Sequence, residues 1–221
     1  MREVVDGVFE LHLGFVNVHL VVTDDCVVLV DTGLPGRAAK VEAALQEARK
    51  KIAEVRTILL THRHPDHVGS AAELQRRSGA RVVAHQADVP VITGEVTLPV
   101  RGFMKVASIF TKGPEPVPVD DRLAVDGPIS VAGFSAVHTP GHTPGHVSYL
   151  LDRAGGILFV GDAAAGGRKV SRTPRFFNED DARATTSLTR LSELEFDTAV
   201  FGHGKAVSGR AVEQFRQLAA R

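Results

Sequence analysis

Short apolar runs that stop abruptly at glycine, aspartate or histidine recur along this chain and constrain its fold more than any other feature. CVVLVD closes on Asp31-Thr32-Gly33, VRTILLTH on His62, GILFVGD on Asp162 and TAVFGHG on His203. Runs of this length, rich in Val, Ile and Leu and bounded by turn residues, read as strands buried in a packed core. The first thirty residues alternate VFELHL, VNVHLVVT and CVVLVD with the turn pair Asp24-Asp25, a β-meander opening. After Gly36, RAAKVEAALQEARKKI places Ala38, Val41, Ala44, Leu45, Ala48 and Ile52 at helical spacing, with basic residues expected in the last turn. The strand VRTILLTH, a helix over VGSAAELQRRSG closed by Gly79, and the strand RVVAH then complete a β-α-β-α-β order.

A second series of strands is expected at RLAV, ISVAG, FSAVH, HVSYLLD and GILFVGD, with Ala154-Gly155-Gly156 as a hairpin turn. Asn178 is the expected N-cap of a helix over EDDARATTSLTRLSELE, followed by the strand in TAVFGHG and a helix in GRAVEQFRQLAA. Two β-rich halves, each finished by helices, predict two sheets packed together with helices outside. Between Gln86 and Asp121, prolines at 90, 99, 114, 116 and 118 suggest a short helix and then an irregular, ordered insertion around GFMKVASIF.

Composition narrows the function. At 221 residues, 43% hydrophobic and 24% charged, the chain is long enough to fold as one domain, 1–221, without staples. Lys+Arg and Asp+Glu both number 26, so there is no basic field to attract nucleic acid or an anionic membrane. The single cysteine, Cys26, can form neither an internal disulfide nor a thiolate cluster and is expected in a buried strand. The N-terminus carries Glu3 and Asp6 and lacks the apolar stretch of a signal peptide, and no run approaches the roughly 20 residues of a spanning helix. A cytoplasmic enzyme or binding protein acting on a small molecule is expected. The oligomeric state is not legible.

Five histidines and two aspartates stand at the strand ends or in the loops just after them. In Thr61-His62-Arg63-His64-Pro65-Asp66-His67, an extended backbone puts His62 and His64 on one face, able to point at one ion, while Asp66 turns with the chain and His67 faces a neighbouring position. His142, Asp162 and His203 follow later strands, and glycines at 141, 161, 202 and 204 permit sharp exits. A histidine cluster without cysteine suits zinc, iron or manganese. His12, His19 and His85 read as core or edge residues and Tyr149 as packing. His138 and His146, flanking His142, are not expected as ligands, although one could support a ligand.

In this order and context, VLVDTG, THRHPDH, TPGH, VGD and GHG resemble the metallo-β-lactamase fold superfamily over nearly the whole chain. The resemblance implies an αββα four-layer sandwich of two mixed β-sheets flanked by helices, in the α/β class. It implies that His62, His64 and His142 hold a first metal, that Asp66, His67 and His203 hold a second, and that Asp162 bridges them. It also implies that Asp31 supports the metal loop without binding metal. Three neutral imidazoles leave the first ion an open position for water, and a bridging carboxylate can hold two cations roughly 3.5–4 Å apart.

The implied activity is that of a dinuclear hydrolase, most readily with two Zn²⁺ and alternatively with Fe or Mn. A metal-bridging hydroxide would attack a small ester, lactone or thioester, with Asp66 as the catalytic group that orients the nucleophile and shuttles its proton. Alternatives in the same superfamily are a mononuclear iron persulfide dioxygenase using positions matching His62, His142 and Asp162, or a hydrolase of β-lactams or phosphodiesters. A noncatalytic small-molecule sensor is a third class. The 18 residues after His203 are fewer than the C-terminal helical domain of full-length glyoxalase II requires, which leaves a short glyoxalase-like thioesterase as one expectation. Residues 102–110 and the stretch Arg172 to Phe177 are expected to form substrate-facing walls.

Overall fold

The computed structural model of the chain describes residues 1–98 and 113–220. One seven-stranded sheet has the order β1 (Arg2–Val5), β2 (Val8–His12), β3 (Asn17–Val22), β4 (Val27–Val30), β5 (Val55–Leu59), β6 (Arg81–His85) and β7 (Asp121–Leu123). Its first four strands form the expected antiparallel meander, and β4 to β7 run parallel. The crossovers of the parallel part carry α1 (Ala38–Glu47), α2 (Pro65–Val68), α3 (Ala71–Ser78) and α4 (Val89–Ile92).

The second sheet contains β8 (Gly127–Pro128), β9 (Phe134–His138), β10 (Val147–Leu151), β11 (Ile157–Phe159), β14 (Thr198–Val200) and β15 (Val207–Ser208), in the order β15-β14-β11-β10-β9-β8. Only β11 and β14 are parallel in it. A small hairpin of β12 (Ala164–Ala165) and β13 (Ser171–Arg172) stands apart, and α5 (Asp181–Ser192) and α6 (Ala211–Ala219) belong to this half. Among the described residues no helix is long and apolar enough to cross a membrane.

Three apolar clusters define four layers. Val28 and Val30 of β4, with Leu59 and Val83, pack against Phe134, Tyr149, Leu151 and Phe159 between the two sheets. The alternate residues Val27 and Leu29 face α1 and α3 instead. Both faces of β4 are therefore covered, which explains why its sequence is apolar throughout. On the far side, α5 and α6 cover the second sheet through Leu188, Leu191, Val212 and Phe215. The architecture is the αββα sandwich of two mixed sheets.

The C-terminal ends of β4, β5, β11 and β14 meet at one rim, and short polar bonds join the sheets there. Val147 donates its backbone N–H to Thr61 (2.8 Å), and Asn17 donates its own to Gly202 (2.8 Å). The Asn17 carboxamide donates to the carbonyls of Phe201 and Gly204. The buried Tyr149 hydroxyl donates to the Leu60 carbonyl at 2.9 Å. These bonds fix the loops that follow the strands.

Five local expectations change. RLAV, expected to open the second series of strands, instead supplies β7, paired parallel to β6 at the edge of the first sheet. Helix α1 stops at Glu47 because Arg49 takes a left-handed φ of 57° and Lys50 N–H returns to the Leu45 carbonyl, so the basic residues lie beyond the last turn. ISVAG is a turn, held by Phe134 N–H on the Val131 carbonyl; only Gly127 and Pro128 before it pair as a strand. Cys26 sits half-buried in the turn before β4, its N–H on the Thr23 hydroxyl. Asp180 caps α5, its carboxylate accepting from Arg183 N–H, and Asn178 does not. The segment 102–110 lies outside the described residues.

Candidate metal centre

All seven residues singled out by the sequence converge on the rim. Among the described residues, three groups have ligand atoms within 4.8 Å of one another: His62, His64 and His142; His62, His67 and Asp162; and Asp66, His67 and His203. Nε2 of His62 lies 3.0 Å from Nδ1 of His64, which lies 2.9 Å from Nε2 of His142. The Asp162 carboxylate stands between the groups, 3.3 Å from His142 Nε2, 3.4 Å from His67 Nε2 and 3.2 Å from His203 Nε2. Asp66 lies 3.4 Å from His203 Nε2 and 3.8 Å from His67 Nε2.

The bonds of the outer nitrogens fix how the inner ones point. Asp31 accepts from Thr61 N–H, the Thr61 hydroxyl and His67 Nδ1, each at 2.8 Å. Having donated to Asp31, the Thr61 oxygen accepts from His62 Nδ1 at 3.0 Å. His203 Nδ1 donates to the Phe15 carbonyl at 2.7 Å. In each case the outer nitrogen carries a proton and Nε2 faces inward, the orientation in which imidazole meets a metal once any proton on Nε2 is displaced. Asp31 adopts φ 61° to reach this position and stays outside the cluster, as a support.

His142 differs: its outer Nδ1 is buried without a hydrogen bond, as is the Asn178 Oδ1. Asn178 Nδ2 donates to Asp181. His146 is a supporter too. Its Nε2 accepts from Asp162 N–H at 2.9 Å, so its Nδ1 carries the proton and donates to the Thr139 hydroxyl at 2.8 Å. His85 and His138 stack on each other with centroids 3.9 Å apart, away from the cluster. His19 packs edge-on against Phe159, and His12 bonds Asn17.

The donor set fits a cation. His67 Nε2 and Asp162 Oδ1 are buried with no hydrogen-bond partner, and three imidazole nitrogens face one another at about 3 Å, where protons cannot satisfy all of them. A Cβ at Gly202 would strike Asp162 Oδ1 and His67 Cε1, so glycine keeps that space open. Electrostatics divides the cluster. Burial, reinforced by neighbouring imidazoles, pushes His62 well below its usual value and His64 down to about 3. Burial also lowers His142. Burial opposes protonation of His67 and His203 as well, but Asp162, Asp31 and Asp66 raise His67 well above its usual value, and Asp162 and Asp66 raise His203 to about 10.

Sequence reasoning missed Phe15. Its ring stacks on His203 at 5.9 Å and is 57% exposed, which makes it an apolar wall beside the cluster. The signal was an aromatic residue in the Gly14–Asn17 turn with no core position to fill. Of the expected substrate-facing stretch, Phe176 and Phe177 are exposed. A cavity of about 280 Å³ lies between that stretch and α5, lined in part by Ala163, Arg172, Thr173, Arg175 and Asn178.

His142→Ala should lose one metal ion, whereas His146→Ala should keep its metal and much of its activity, although both histidines end TPGH sequences. The second change leaves Asp162 N–H without an acceptor, at a cost of about 1–3 kcal/mol in stability. Metal content and melting of the two variants check this, and equal metal loss in both would contradict it.

Fold and rim together define a class, the metal-binding αββα sandwich. The family described as the metallo-beta-lactamase superfamily matches residues 12–203, and the chain belongs to it. A probable metallo-hydrolase of Bacillus subtilis (strain 168) is 27% identical over 94% of this chain and 88% of its own length. A hydroxyacylglutathione hydrolase of Pseudomonas paraeruginosa is 34% identical over 76% of this chain but 53% of its own length, so the match spans about half of that protein. Among solved structures, a metallo-beta-lactamase family protein from Thermus thermophilus superposes with a TM-score of 0.74 at 26% identity, covering 99% of this chain and 80% of that one. A subclass B3 metallo-beta-lactamase of Bradyrhizobium japonicum also gives 0.74, at 19% identity over 99% of this chain and 90% of its own, and shows the shared fold. The protein is a metal-dependent hydrolase of this superfamily.

Proposed function

We propose that the protein is a dinuclear zinc hydrolase of small thioesters, esters or lactones, with His62, His64 and His142 holding one ion, Asp66, His67 and His203 the other, and Asp162 shared. The observation that carries this reading is the convergence of five imidazoles and two carboxylates on one rim, with the outer nitrogens of His62, His67 and His203 already tied to acceptors. When bound, the ions supply an acidified water and polarise the scissile carbonyl. Asp66, pulled below its ordinary value by His67 and His203 despite burial, stays ionised, and its carboxylate can orient the attacking water and take its proton. The exposed Phe15 ring and the Arg172 to Phe177 stretch supply apolar and cationic surface for the substrate.

Resemblance to a hydroxyacylglutathione hydrolase favours thioesters within this range, because a hydroxyacylglutathione is itself a thioester. The test is elemental analysis of the purified protein beside a parallel screen of thioester, lactone, β-lactam and phosphodiester substrates. About two zinc ions per chain and fastest turnover of a thioester or lactone are expected. One iron with oxygen consumption would replace this reading with a persulfide dioxygenase. Turnover confined to β-lactams or phosphodiesters would replace the substrate class.

A further inference from the structure

The Asp88 carboxylate is fully buried and collects four hydrogen bonds from two loops. Oδ2 accepts from Arg63 N–H at 3.0 Å and from the Thr143 hydroxyl at 2.7 Å. Oδ1 accepts from Arg63 Nη1 at 2.7 Å and from Gly145 N–H at 3.0 Å. Asp88 stands at the N-cap position of α4, yet its side chain makes no capping bond there. Instead it reaches to the segments that carry His62 and His64 on one side and His142 on the other.

Each contact has a local reason. In the extended His62-Arg63-His64 segment, alternate residues point to opposite sides, so the two imidazoles face the rim while Arg63 turns the other way, onto Asp88. The second arm of the Arg63 guanidinium bonds Glu179, whose own N–H donates to the His142 carbonyl at 3.3 Å. At Gly145 a Cβ would lie 2.6 Å from Asp88 N and 2.7 Å from its Cγ, so only glycine lets this loop approach. A buried carboxylate saturated by a guanidinium, two amides and a hydroxyl is rigid, because removing any donor exposes an uncompensated charge.

We propose that Asp88 is a positioning residue for the first metal: through Arg63, Thr143 and Gly145 it sets the spacing of His62, His64 and His142 without touching the ion. The proposal rests on the metal assignment made above. It also gives a role to the start of the 86–121 region.

Asp88→Asn tests it. The replacement keeps shape and volume but turns one acceptor oxygen into a donor, which must face Arg63 N–H in one orientation, or Arg63 Nη1 and Gly145 N–H in the other. Zinc is titrated into the metal-free wild type and variant, and the imidazole NMR signals of His142 and His203 are followed separately. The zinc concentration that half-shifts His142 should rise about ten- to a hundredfold, the usual effect of losing an outer partner. That for His203 should change less than about threefold, a selectivity that a general loss of stability does not produce. Unchanged behaviour of His142, or equal weakening at both histidines, would overturn the proposal. Thr143→Val removes one of the four bonds and should weaken His142 alone by several-fold. Should Asp88→Asn not fold, Thr143→Val decides by the same criterion. A wild type that binds no zinc would sink the functional reading itself, whereas a zinc-binding wild type with an unaltered variant would sink only the role of Asp88.

Discussion

Asp162→Ala should lower the metal content from about two ions per chain to one or fewer, and reduce turnover by well over a hundredfold. The carboxylate lies within 3.4 Å of nitrogens on His67, His142 and His203, and so contacts both halves of the cluster. Burial alone would raise its pKa, but His67 and His203 hold it well below the carboxylate range, so it carries the charge that offsets two cations. Removing an outer partner commonly costs 10–100-fold in metal affinity or activity, and a shared ligand should cost more. The fold should persist. The bonds from Asp162 N–H to His146 and from Thr173 to the Asp162 carbonyl involve only the backbone, which alanine keeps. Metal analysis with melting of the variant checks this; two retained metals and full turnover would show that Asp162 does not bridge.

The rim was legible in the sequence because its residues stand at the ends of apolar strands or in the loops just after them, and a strand end fixes where the next side chains can point. VLVDTG, THRHPDH, VGD and GHG each put strand and functional residue within a few positions, and the structure brings all seven together. The tautomers were not legible, because His62, His67 and His203 owe theirs to Thr61, Asp31 and the Phe15 carbonyl, and the last is 188 residues away. Asp88 was hidden for a similar reason. Nothing in AHQADVP marks it, and its partners Arg63 and Thr143 lie 25 and 55 residues distant.

Asn178 shows a different error, in which an expected capping role falls to a neighbour, Asp180. Both Asn178 and Asp180 have capping chemistry, and the choice depends on where the chain enters α5. Asp180 is extended at φ −141° and ψ 98°, which aims its carboxylate at Arg183 N–H. Asn178 Nδ2 donates to Asp181, and its Oδ1 is left buried without a hydrogen bond. ISVAG failed because apolar alternation does not specify pairing: Phe134 N–H closes on the Val131 carbonyl, and Gly133 at φ 78° turns the chain back.

Zinc affinity at the second site should rise by one to two log units per pH unit between about pH 6 and 8, while that of the first site stays nearly flat. In the metal-free protein, His62, His64 and His142 are already neutral in this range, since burial and neighbouring imidazoles lower all three. A cation entering among them displaces no proton. His203, raised to about 10, and His67, also raised, hold protons between Asp66 and Asp162, and each must be removed before Nε2 can bind. Raising the pH removes the competitor, so affinity climbs by one log unit per displaced proton. The metal-free fold responds in the opposite sense. The stabilisation from His203 is complete below its ordinary value of 6.5 and is lost as pH rises through about 10. Calorimetry in buffers of different ionisation enthalpy counts the protons released at each step, and His203→Ala should lower the slope of the second step by one. Two steps with the same pH dependence, or a slope unchanged in that variant, would show that the protons do not reside where the carboxylates place them.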